Sequence, residues 1–113
     1  MLSRKALALA SLCTIVCTQG SHAEEAFKSS KFLTYPAESQ KSYIGSSVMM
    51  AGVIAARNAP QQARCIDDWS AKNSSASYPT VVEAMKRFPD HHPTGVIIAV
   101  LQKACGSFDY VRK

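Results

Sequence analysis

A single pair of cysteines in the body of the chain, Cys65 and Cys105, constrains the fold more than any other feature. The sequence holds four cysteines, but Cys13 and Cys17 lie in an N-terminal leader. That leader has the order of a secretory signal. Arg4 and Lys5 come first with no acid, an apolar run follows from Ala6 to Cys17, and small residues stand in Ser21-His22-Ala23. Cleavage is expected between Ala23 and Glu24, so residues 1–23 are removed. The run is shorter than the roughly 20 apolar residues of a permanent anchor; a retained anchor is the alternative. Neither leader cysteine follows the small residue usual before a lipid-modified cysteine, since Leu12 precedes Cys13 and Val16 precedes Cys17. The expected location is the bacterial periplasm, with no membrane attachment after cleavage.

Export puts Cys65 and Cys105 where thiols oxidise. Two cysteines allow one intramolecular pairing. Closing a loop of this length stabilises by about 4 kcal/mol in the chain-entropy model, a large share of the ~5–15 kcal/mol of a whole domain. A free thiol and an intermolecular bridge are the alternatives. A redox-active pair needs Cys-x-x-Cys spacing, and zinc needs more ligands closer together; the sequence offers neither.

Charge narrows the partners. Of the thirteen Lys and Arg residues, Arg4 and Lys5 leave with the leader, so eleven face eight Asp and Glu, a net +3. The bases are scattered, with no basic run interleaved with aromatics, which argues against nucleic acid. A processed chain this short is one domain with a small core, the kind that needs a covalent staple.

The elements read as helices. Residues 24–40 are expected to form a mobile arm, with at most a short helix over 24–33 and a break at Pro36. Tyr43, Ile44, Val48, Ala51 and Ala55 recur at helical spacing, predicting a helix over 42–58 capped by Ser42 and closed by Pro60. Small residues around Gly52 suit close approach of another backbone or ordinary core packing. Asp67 and Asp68 are expected to cap a short turn holding Trp69, and 71–77 to form a Ser-rich loop. Val81, Val82, Met85 and Phe88 mark a helix over 79–88 with Ser77 as cap. Lys86 and Arg87 suit its C-terminal dipole. Pro93 opens a last helix through Val96, Ile97, Val100, Leu101 and Ala104, and Gly106 stops it. Its β-branched content also allows a strand; its length and opening proline favour helix. The fold class is all-α: a domain over 41–113 of three to four helices stapled by one disulfide.

Catalytic constellations are not evident. There is no Gly-x-Ser-x-Gly turn, no glycine-rich phosphate loop and no His-x-x-x-His pair. His91 and His92 are adjacent; a solvated turn is the plain reading, metal binding or pH sensing beside Asp90 the sharper one. No cofactor and no metal are expected, and the chain reads as a binding protein, not an enzyme. Trp69, flanked by Asp67 and Asp68, has the composition of an interface anchor; equally it can plug a small core. The candidate partner-binding residues are Asp67, Asp68, Trp69, Asp90 and His91, chosen because loops carry recognition.

Met49-Met50-Ala51-Gly52-Val53-Ile54-Ala55-Ala56, Cys65-Ile66, Val81-Val82, His92-Pro93 and Val96-Ile97-Ile98-Ala99-Val100-Leu101 closing on Cys105 together resemble the Rap/Tai-type immunity proteins of bacterial type VI secretion. The resemblance covers 43–105. It implies a small exported helical protein that neutralises a wall-degrading amidase delivered by a sibling cell. It also carries the two cysteines over as a structural bridge. The sequence departs from the family at Asp67, where a proline is common, and at Lys103-Ala104, where an aromatic-Pro step is common; a further N-terminal cysteine pair seen in some members is missing. Self-association as a homodimer is left open. Two other readings stand beside it: a periplasmic acid-stress chaperone, and an accessory subunit of a secretion or conjugation system.

Overall fold

A computed structural model describes residues 26–110. The expected leader over 1–23 and its cleavage point at Ala23 and Glu24 lie outside the described residues. Among the described residues five α-helices follow one another: α1 (Ser29–Phe32), α2 (Ala37–Asn58), α3 (Pro60–Asn73), α4 (Pro79–Arg87) and α5 (Pro93–Cys105), with a 3-10 turn at Ser74–Ala76 between α3 and α4. The all-α class and the Cys65–Cys105 bridge are both present, the two Cα atoms 5.6 Å apart. The last segment is helix, not strand.

Prolines do most of the punctuation. Pro60, Pro79 and Pro93 each occupy the first turn of a helix, and Pro36 immediately precedes α2. A proline there loses nothing, because its missing N–H would have had no helical partner, and its fixed φ suits the first turn. This corrects three boundaries. α2 begins five residues before Ser42, which sits inside the helix. Pro60 opens α3, leaving Ala59 alone as the α2–α3 hinge at φ −152°, ψ 86°. α4 starts after Tyr78, and no side chain caps it, so Ser77 is not its cap.

α3 is the main departure from the sequence reading. Residues 60–73 form a continuous helix, not a turn followed by a loop. Gln62, Ala63 and Ile66 are its buried face, and half-buried Trp69 packs beside them. That spacing is helical, but Gln62 and Ala63 hide the stripe from a hydrophobicity count. Asn73 continues the face by donating from Nδ2 to the Trp69 carbonyl at 2.8 Å.

Residues 26–40 are not an arm in this fold, and position 40 falls inside α2. Phe32 is buried. Ser29 is buried as well, and its backbone N–H and hydroxyl both donate to the His91 carbonyl at 2.8 Å. Phe27, Phe32, Tyr43 and His92 form an aromatic cluster at this end, with Phe32 and Tyr43 centroids 5.0 Å apart and Phe27 and His92 centroids 5.5 Å apart.

The core is one cluster: Ile44, Val48, Ala51 and Ala55 of α2, Ala63 and Ile66 of α3, Val81 and Met85 of α4, and Val96, Ile97 and Leu101 of α5. α2 runs against α3 along most of its length. A Cβ on Gly52 would lie 3.6 Å from Asp67 Oδ1 and 3.7 Å from Ile66, ordinary packing distances. Gly52 therefore does not mark an unusually close backbone approach. Tyr78 enters the core at φ 56°, a strained left-handed conformation for an aromatic residue. Gly106 ends α5 at φ 101°, where only glycine is at ease.

Candidate protein-binding face

α2 is apolar on two sides. From Ser42 to Ala56 it carries no charged residue; Lys41 and Arg57 bracket the stretch. At about 100° per residue, Ile44, Val48, Ala51 and Ala55 share one side, which is buried. Met49, Met50, Val53 and Ile54 project from the opposite side and keep 70, 61, 54 and 46% of their surface exposed. Four neighbouring large apolar side chains on one exposed helical face form the kind of patch that marks an interaction site on a soluble protein. Methionine suits such a face, since its unbranched, polarisable side chain adapts to differing partners.

The face runs into a groove of about 590 Å³ between α2 and α5, lined by Tyr43, Met50, Ala51, Ile54, Thr94 and Ile98 among others. Tyr43 and Thr94 close one end through a hydroxyl pair 2.7 Å apart. The surface thus offers a ridge, Met49 and Val53, beside a trough, a shape that can take a complementary apolar element. In the sequence these residues carry only the resemblance to the immunity proteins. Their exposure was not legible, because an apolar run at helical spacing reads as core whichever way it faces.

The five candidates fall into two groups, Asp67, Asp68 and Trp69 on α3 and Asp90 and His91 in the turn before α5, and among the described residues no hydrogen bond or salt bridge joins them. Asp67 and Asp68 are exposed in the middle of α3, where they cap nothing. Trp69 is half-buried and stacks on Tyr78, centroids 5.9 Å apart and planes 24° apart, so it serves the core. Asp90 and His91 lie in the turn between α4 and α5. Asp90 pairs with Lys28 at 3.7 Å, an exposed contact of little energetic weight. The His91 ring packs edge-on to Phe88 at 5.4 Å while its carbonyl holds Ser29. His92 does structural work too: its Nδ1 accepts from the Thr94 N–H at 3.1 Å and caps α5.

Among the described residues, no group of three or more His, Cys, Asp or Glu side chains is placed to hold a metal ion. Within the same residues no helix is long and apolar enough to cross a membrane. No protein-family model matches the chain, and neither a curated protein nor a solved structure is detectably similar to it.

Proposed function

We propose that this chain is an exported binding protein that acts by covering a protein partner with the outer face of α2, and that the partner is a secreted cell-wall amidase it keeps inactive. The observation that carries the binding reading is the uncharged, exposed apolar face of Met49, Met50, Val53 and Ile54. The amidase and the periplasmic setting rest on the leader and on the resemblance to type VI immunity proteins. Inhibition needs no catalytic group of its own; it needs area, a few buried anchors and exclusion of substrate from the partner's cleft.

The direct test is co-expression of the full chain with the product of each neighbouring gene, followed by purification of the complex and assay of peptidoglycan hydrolysis. A stoichiometric enzyme partner whose activity falls on binding supports the proposal. It should be released by Met50→Glu combined with Val53→Glu. An absence of any bound effector, together with no protection of cells expressing one, overturns it. Suppression of client aggregation at acid pH without a stoichiometric partner would favour the chaperone reading, which draws on the same exposed face.

A further inference from the structure

A second groove lies on the other flank of α5. Thr94 and Ile98 face α2, whereas Gly95, Ala99 and Lys103 face α4. This groove encloses about 420 Å³, within the range of small-molecule sites. Its length, from Gly95 to Lys103 along α5, is about 12 Å at the helical rise.

Three features give it a definite chemistry. The floor is apolar and smooth, because Val96, Ala99 and Val100 present only hydrocarbon. Gly95 leaves one end bare: a Cβ there would meet nothing within 4 Å. Phe88 stands beside it, half exposed, and the His91 ring packed edge-on to it completes an aromatic wall. The rim is basic. Arg87 and Lys103 flank the groove and no acidic residue lines it. The two salt bridges among the described residues use Lys28 and Lys86, so neither Arg87 nor Lys103 is ion-paired there. An apolar trough with an unpaired guanidinium at its rim is complementary to one apolar chain bearing one anion.

We infer that the α4–α5 groove binds a free medium-chain fatty acid, with the chain along Ala99 and Val100 against Phe88 and the carboxylate at Arg87. The site is independent of the α2 face and of the amidase reading. The guanidinium can take the carboxylate through two parallel N–H donors, a stronger contact than a neutral hydrogen bond. Apolar burial supplies the remaining affinity.

The experiment is calorimetric titration of the purified, disulfide-bonded protein with decanoate, with decanol, and with a short acidic peptide carrying one leucine. Saturable one-to-one binding of decanoate is expected, with decanol weaker by about tenfold, the loss of one charged contact. Gly95→Leu fills the open end and should abolish binding. Arg87→Gln should reduce decanoate to the level of decanol, and Lys103→Gln, further along α5, should change it less. Unchanged helicity and melting verify the fold of each variant, and Ala99→Leu provides a second blocking substitution should Gly95→Leu unfold. Met50→Glu, on the other face, should leave decanoate binding unaltered. Non-saturable uptake, or binding indifferent to both leucine variants, overturns the inference. Binding of the acidic peptide without decanoate also overturns it and makes the groove a protein-docking site.

Discussion

α2 and α3 are two arms of one helical hairpin, joined by a single residue, yet they treat solvent in opposite ways. α3 turns Gln61, Arg64, Asp67, Asp68 and Lys72 outward and keeps Ala63 and Ile66 inside. α2 turns Met49, Met50, Val53 and Ile54 outward. Core packing demands an apolar inner face of both, but it demands nothing of either outer face. α3 shows that charge is compatible with the outer face of this hairpin. The absence of charge along the outer side of α2 is therefore not a requirement of the fold; the partner proposed for that face would account for it. α3 is the fastened arm: Cys65 ties it to α5, and Gln62 holds the segment beyond α5 through Nε2 to the carbonyls of Gly106 and Ser107 at 2.8 and 2.9 Å, while its Oε1 accepts from the Tyr110 hydroxyl.

If α3 is the structural arm, the largest stability losses should come from its attachments. Replacing both cysteines with serine should cost about 4 kcal/mol, read as a lowered urea midpoint. A loss under 1 kcal/mol would mean that the staple merely records proximity. Gln62→Ala comes next, at about 1–3 kcal/mol, because it leaves the tail without its partners. The same strap has a pH signature. Burial raises the Tyr110 phenol above its ordinary 10.0, and the neutral hydroxyl is the form that donates to Gln62. A folded pKa above the unfolded one means that this stabilisation is full below pH 10 and is lost as pH rises through the raised value. Melting curves of the parent and Tyr110→Phe should therefore converge at alkaline pH.

The two arms were unequally legible in the sequence. Ile44, Val48, Ala51 and Ala55 announce α2 because its inner face is wholly apolar. α3 went unseen because its inner face is led by a glutamine, whose burial depends on carbonyls forty-odd positions away. Hydrogen bonds of that range leave no local periodicity. Pro60 is ambiguous for a related reason: a proline stands as readily at the start of one helix as after the end of another, and only the single-residue hinge decides. Phe27 and Ser29 find their places against the 89–92 turn, another long-range docking that composition cannot show. The cysteine pairing was legible because Cys65 and Cys105 are the two cysteines beyond the expected leader. The binding face was not, since periodicity identifies apolar residues without saying which of them meet the core.

Smaller effects sharpen the contrast further. Gly52→Ala should stabilise by up to about 1 kcal/mol, since helix propensity improves and the added methyl would meet Asp67 and Ile66 at ordinary contact distance. A destabilisation would show that the arms are already packed to their limit there.

The smallest stability change is expected where the functional change is greatest. Met50→Glu with Val53→Glu puts two carboxylates on solvent-facing positions of α2, where the side chains already contact water. Surface substitutions away from caps, core and buried networks shift stability by about 0.5 kcal/mol or less. Those two side chains nevertheless sit at the centre of the uncharged stretch, where a partner would have to desolvate both new charges. Anchor positions of that kind carry most of a complex's free energy, about 2 kcal/mol or more each. An unchanged melting temperature with affinity lowered by at least about thirtyfold, measured against the captured effector, would establish α2 as the working arm. A falling melting temperature would mean instead that α2 packs its outer residues within this chain, and the distinction between the two arms would vanish.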